Sequence, residues 1–178
     1  RCDTDRVVDC TLNTAGAITF RYAIFLFLAQ MLTSGIGEEP GWRGFLLPRL
    51  QARFAGEKYI WVLGLVWAIW HYPLVVIQTF SVMQDVTLVQ MLVAILVLLA
   101  GQTMSLIGMT YLYVWMYNNT GSVFLAILFH AFGNLFNTWV LSFVVDQQAV
   151  GLLIALMPWL AVFVLQKAIG KQRFPGQT

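Results

Sequence analysis

Long apolar runs divided by short polar breaks dominate this chain. Five runs stand out, at about Ala15–Ile36, Tyr59–Phe80, Val86–Tyr117, Ser122–Val145 and Ala149–Ile169. A helix needs about 20 apolar residues to cross a hydrocarbon layer roughly 30 Å thick, so each run is long enough to span. The third is long enough to tilt or to extend past the bilayer. The breaks at Ser81–Asp85, Asn118–Gly121 and Asp146–Gln148 suit tight helix–helix connections. A β-barrel would need stretches of roughly ten residues with alternating polarity, which these continuous runs do not supply. No internal repeat or low-complexity tract interrupts the pattern. The expected fold class is an all-α, polytopic membrane bundle of about five transmembrane helices plus a short amphipathic helix. A polar head (1–14) and a polar tail (171–178) flank a single domain at 15–170.

The segment between the first two runs differs in kind. It begins Glu38-Glu39-Pro40-Gly41-Trp42-Arg43-Gly44 and carries Arg43, Arg49 and Arg53. Gly35 and Gly37 are expected to break the first helix. Pro40 suits the first turn of a new one, where its missing N–H costs nothing. Glu38 and Glu39 suit the positive end of that helix's dipole.

Composition agrees with a membrane solvent. Hydrophobic residues make up 60% of the 178 positions and charged residues 10%, against about 45–50% and about 25% in soluble domains. That leaves too little charge for a water-facing surface and excludes a soluble enzyme and a disordered chain. A net charge of +2 with no basic patch excludes a nucleic-acid binder. The lipid bilayer is therefore the first partner. Cys2 and Cys10 could form a disulfide or stay as two thiols, and no CxxC or Cys/His cluster offers a zinc knuckle. The chain opens on Arg1 with no signal-peptide pattern, as expected of a fragment or a trimmed protein.

Basic residues give an orientation. Arg43, Arg49, Arg53 and Lys58 lie between runs one and two, and Lys167, Lys171 and Arg173 lie at or beyond the end of run five. Four crossings separate the clusters, so both fall on one side, which the positive-inside rule makes cytoplasmic. The two breaks on the other side carry Asp85 and Asp146, and the head has a net charge of −1. An integral protein of a bacterial plasma membrane is expected, with its site facing the cytoplasm.

A charged side chain at mid-membrane costs at least about 2.5–3.5 kcal/mol, so ionisable residues there face protein or water. His71 and His130 are the two histidines of the chain. They lie roughly 18 Å and 12 Å into their spans from the same side, at about 1.5 Å per residue. Asn134 shares a helix face with His130, and Trp67 with His71. Pro73 is expected to kink the helix beside His71. Each residue has a bland reading. A lone histidine or asparagine can bond a neighbouring helix, Trp67 can be packing, and Glu39 and Arg43 can be an ordinary i, i+4 pair. Together they offer more. A carboxylate beside an imidazole can activate water, and an imidazole N–H beside an amide N–H can hold an oxyanion. There is no GxSxG nucleophile signature and no HExxH zinc helix. Asp85 and Asp146 sit at span ends, which argues against a paired aspartyl site.

Three motifs in order carry a resemblance. Glu38-Glu39-Pro40-Gly41-Trp42-Arg43 matches EExxxR, Trp67-Ala68-Ile69-Trp70-His71 is similar to FxxxH with Trp for Phe, and His130-Ala131-Phe132-Gly133-Asn134 matches HxxxN. The chain resembles the CPBP family of CAAX prenyl proteases of type II and bacteriocin-processing (Abi) proteins over about residues 20–145. The resemblance implies an intramembrane endopeptidase acting on a prenylated CAAX-type or leader-peptide substrate. It makes Glu38 the base that activates water with His71, and His130 and Asn134 the oxyanion site. Glu39, Arg43 and Trp67 become supports. No cofactor is favoured, although Glu38, His71 and His130 could hold zinc. The family core usually has more than five helices, so N-terminal spans are expected to be missing here. Two other functions compete. One is a non-catalytic self-immunity or adaptor protein of the same fold. The other is a small transporter using the histidines, which would favour repeated, broken helices that are not found.

The charge pattern makes a testable prediction. In a Cys-less variant, single cysteines at Gln84 and Lys171 should react with an impermeant thiol reagent from opposite sides of the membrane. Labelling from one side would remove this topology.

Overall fold

The computed structural model describes residues 20–143 and 147–169, the side chains of 138–143, 147–153 and 169 excepted. Cys2, Cys10 and the rest of the head, together with Asp146, Lys171 and Arg173, lie outside the described residues. The described chain forms helices and no strand. They are α1 (Phe20–Arg53), α2 (Lys58–Val82), α3 (Leu88–Thr120), α4 (Val123–Phe143) and α5 (Gln147–Ile169). Three of them, α1, α2 and α3, are long and apolar enough to cross a membrane. The described parts of α4 and α5 add shorter apolar stretches, Val123–Asn137 and Ile154–Ala168. The protein is an all-α integral membrane protein. Leu88, Val89, Val93, Leu96 and Val97 on α3, and Phe80 and Val82 on α2, expose large apolar side chains suited to lipid.

The helix expected after Pro40 is present, but it is joined to the first span without a break. Over its 34 residues, α1 widens into π-helical turns at Met31–Gly35 and Pro40–Leu46. A glycine inside a helix costs about 1 kcal/mol. Opening the backbone in hydrocarbon costs several kcal/mol per unpaired group, so the helix continues. Gly35 serves close approach instead of termination. A Cβ there would lie 2.9 Å from Ile127 Cγ2 and 3.1 Å from the Ile127 carbonyl oxygen on α4. Likewise α2 runs on through Pro73.

Local chemistry sets the remaining ends. Phe54 turns extended after α1, and Gly56 takes a left-handed conformation (φ 64°) before α2. The Tyr111 hydroxyl donates to Glu57 Oε2 at 2.8 Å, and Gln51 Nε2 donates to Asn118 Oδ1 at 3.0 Å. These bonds fasten the α1–α2 end to α3. Thr87 and Gln90 form a reciprocal cap at the start of α3. Gly121, at φ 64°, ends it, its N–H bonding the Tyr117 carbonyl at 2.7 Å.

In the bundle, α3 lies between α2 and α5. Gly64 lets α2 approach, since a Cβ there would lie 3.0 Å from Ile107 Cα. Gly108 does the same for α5, 2.9 Å from Pro158 Cβ. Small residues at such crossings let helix backbones pack where lipid gives no hydrophobic drive. Leu47, Ile60, Leu63, Ile107 and Val114 fill the core between α1, α2 and α3. A second cluster, Trp67, Ala68, Leu106, Tyr113 and Ala126, lies where α2, α3 and α4 meet.

Gly64→Val should therefore lower the unfolding free energy of the detergent-solubilised protein by about 1–3 kcal/mol. Gly101→Ala, with nothing within 4 Å of its new Cβ, should leave it unchanged or slightly raised. Equal stability of the two variants would contradict the close α2–α3 crossing.

Candidate active site

The two adjacent glutamates of α1 part company. Neighbours on a helix point about 100° apart, and here each carboxylate meets a different set of partners. Glu38 Oε2 accepts from Trp42 Nε1 at 3.1 Å and from Trp67 Nε1 at 3.0 Å. Glu39 is fully buried, and its Oε1 accepts from Arg43 Nη1 at 2.9 Å and from His130 Nδ1 at 2.7 Å. Trp42 and Arg43 stand one turn beyond Glu38 and Glu39, so each partner repeats its glutamate's direction.

Arg43 is fully buried as well. Its guanidinium lies in the corner formed by two perpendicular rings, 4.3 Å from the centroid of Trp67 and 3.8 Å from that of Tyr113. Such ring faces attract a cation, more strongly when it is desolvated. Trp67 is the hub. Its ring centroid is 5.9 Å from His71, 5.9 Å from His130 and 5.4 Å from Tyr113, each edge-to-face.

The hydrogen bonds fix which ring nitrogens carry hydrogen. His71 Nδ1 lies 2.8 Å from the Trp67 carbonyl oxygen, which can only accept. Nδ1 is then the donor, and Nε2 of a neutral ring keeps its lone pair. By the same logic His130 donates from Nδ1 to the Glu39 carboxylate. Its Nε2 is an acceptor in the neutral ring and a donor once the ring carries both protons.

Asn134 Nδ2 donates to Gln30 Oε1 at 3.0 Å, and the same oxygen accepts from Ser34 Oγ at 3.2 Å. The structure thus joins Glu38 to Trp67, and Glu39 to Arg43 and His130, with Trp67 touching both sets. Asn134 is tied to α1 eight residues before Glu38. Glu38 and His71 share no hydrogen bond. Both line a groove of about 690 Å³ whose walls include Trp42, Trp70, Pro73 and Leu74, while His130 and Asn134 do not line it. Among the described residues no three His, Cys, Asp or Glu side chains gather closely enough to hold a metal ion. Glu38, His71 and His130 are therefore not drawn into one ligand set.

Sequence reasoning missed three participants. Gln30 was a legible signal, an amide inside an apolar run. Trp42 stands at i+4 from Glu38, a spacing that puts its indole within reach. Tyr113 gave no signal, because an aromatic residue within an apolar span reads as packing.

All three motifs fall within residues 20–136, which match the family described as type II CAAX prenyl endopeptidase Rce1-like. Over 137 residues the chain is 27% identical to CAAX prenyl protease 2 of Methanococcus maripaludis, a match covering 76% of this chain and 48% of that relative. The chain thus spans about half the length of the curated relative it matches. No solved structure matches it. With the match extending over well over half of its length, the chain belongs to the type II CAAX prenyl endopeptidase Rce1-like family.

Proposed function

We propose that this chain is the catalytic core of an intramembrane endopeptidase. Its substrate is a membrane-associated protein or peptide, a prenylated CAAX-type protein first among them, and its nucleophile is a water activated by Glu38 and His71. The observation that carries the reading is the placement of Glu38 and His71 on one groove whose other walls are apolar or aromatic. A carboxylate and an imidazole turned toward a groove in a membrane helix bundle are costly unless used.

The chemistry follows from the hydrogen-bond roles. Water lies between the Glu38 carboxylate and Nε2 of His71 and gives up a proton as its oxygen attacks the scissile carbonyl carbon. The carbonyl π electrons move to oxygen. Following the family resemblance, the tetrahedral oxyanion takes hydrogen bonds from His130 and Asn134, one turn apart on α4. These two lie outside the groove walls here and are reached once substrate binding opens the groove toward α4. His130 donates from Nε2 when its ring carries both protons, with Glu39 as the counter-charge. Collapse breaks the C–N bond, and the proton held by the Glu38–His71 pair passes to the leaving amine. Arg43 and Tyr113 touch no substrate atom and hold Glu39 and Trp67 in place.

The expected behaviour separates the two glutamates. For the reconstituted protein with a farnesylated, internally quenched CAAX peptide, Glu38→Gln should lower turnover by about 10²–10⁴-fold, with little loss of folded protein. Glu39→Gln should cost less in chemistry and about 3–5 kcal/mol in stability, because it leaves the Arg43 charge buried without its partner. Near-native turnover in Glu38→Gln, with a folded but dead Glu39→Gln, would move the base by one residue. A folded wild-type protein that cleaves no peptide would favour a non-catalytic adaptor. Loss of wild-type turnover on chelation, restored by zinc, would make Glu38 a metal ligand instead of a base.

A further inference from the structure

We propose that Trp42 and Trp67 act as positioning residues whose two indole N–H groups clamp one oxygen of Glu38 and turn the other toward the groove. The proposal rests on the reading of Glu38 as the base. Both indoles donate to the same atom, Oε2, at 3.1 and 3.0 Å, and they come from two helices, α1 and α2. A carboxylate rotates broadly about its terminal torsion. Two donors fixed on one oxygen remove that freedom and select one face of the group. Among the described residues Oε1 accepts no hydrogen bond, and it is not among the buried atoms lacking a partner. Glu38 lines the groove it shares with His71 and a second groove of about 320 Å³ over Gly37, Gly41 and Phe45. Oε1 is thus the oxygen presented to water.

Packing alone does not require these nitrogens. Trp67 is buried, and its ring lies against Arg43, Tyr113, His71 and His130. A phenyl ring could serve much of that role, and the family motif carries Phe at this place. What Trp adds is an N–H that must find an acceptor when buried, and Glu38 supplies it. An indole N–H is a donor only. It neither takes nor delivers a proton in the reaction, so its contribution is orientation of the carboxylate.

The two residues differ in what else they touch. Trp42 lines both grooves and packs edge-on against Trp70 at 6.3 Å, whereas Trp67 lines neither. A substrate therefore meets Trp42 and not Trp67. Trp67→Phe should lower kcat about tenfold, as expected for losing a hydrogen bond to a charged group, with KM unchanged. Trp42→Phe should lower kcat similarly and change KM as well. Each single variant keeps one donor, so the double variant should lose more than the product of the two.

The test uses the full chain in two measurements. One is kcat and KM of these variants with the farnesylated CAAX peptide in proteoliposomes. The other is the indole N–H resonances of the seven tryptophans in detergent, compared between the wild type and Glu38→Ala. Two of the seven should move together, and each should vanish in its own Trp→Phe variant. A wild-type kcat in folded Trp67→Phe, while Glu38→Gln is dead, would overturn the clamp and leave the base reading standing. Turnover retained in Glu38→Gln would instead overturn the base reading, and the catalytic meaning of the clamp with it. Should Trp67→Phe fail to fold, or the peptide go uncleaved, the resonances decide: fewer than two shifting with Glu38→Ala would overturn the clamp.

Discussion

The buried carboxylate of Glu39 is the constraint around which the rest of the bundle is arranged. A carboxylate with no exposed surface is tolerable only with charge partners and hydrogen bonds. Glu39 has both: Arg43 on its own helix and His130 on α4. Arg43 in turn must be held out of water, and it is held against the Trp67 ring of α2 and the Tyr113 ring of α3. One ion pair therefore specifies contacts among four helices. Losing any member would leave a charge in a medium that cannot solvate it, which gives the crossing of these helices a specificity that apolar packing in lipid does not provide.

That arrangement needs α1 to stay helical where its sequence invites a break. Glu38 and Glu39 lie between two π-helical turns. Such turns are rare and occur frequently at functional sites. The first brings Gly35 against Ile127, drawing α1 and α4 together beside His130. The second spans Trp42 and Arg43, the residues through which each glutamate is bonded one turn on. Had the helix ended at Gly37, Glu39 would start a separate element, and its distance to His130 would depend on a loop.

Much of this was legible in the residues. The five runs become five helices because continuous apolarity over 20 or more residues has few other solutions in lipid. The i, i+4 spacing offered Arg43 as a partner of Glu39, whereas the division of roles between the two glutamates came from the family resemblance. The bond from Glu39 to His130 was not expected, since it joins residues 91 positions apart and depends on the crossing of α1 with α4. Continuity through Gly35 and Pro40 was missed because glycine and proline rules come from water-soluble helices, where an open backbone is solvated. Trp67 was assigned to support without its hydrogen bond. In a run of apolar residues nothing tells an indole nitrogen that packs from one that donates.

The same buried cluster also shows how a polar centre is kept inside lipid without full hydrogen bonding. Glu39 Oε2, Arg43 Nε and Arg43 Nη2 are buried with no hydrogen-bond partner among the described residues. An unpaired buried polar atom normally costs about 1–3 kcal/mol. The guanidinium here lies over two aromatic rings set at right angles to each other, and desolvated contacts of that kind are worth about 2 kcal/mol or more. Aromatic faces thus offset hydrogen bonds that the in-plane nitrogens do not make. That balance accounts for the concentration of Trp and Tyr around the charges. The rings solvate a cation as hydrocarbon cannot, and they exclude the water that would otherwise compete for Glu39. A centre built this way keeps the structural carboxylate dry while the next residue, Glu38, is turned by the same helix toward the groove.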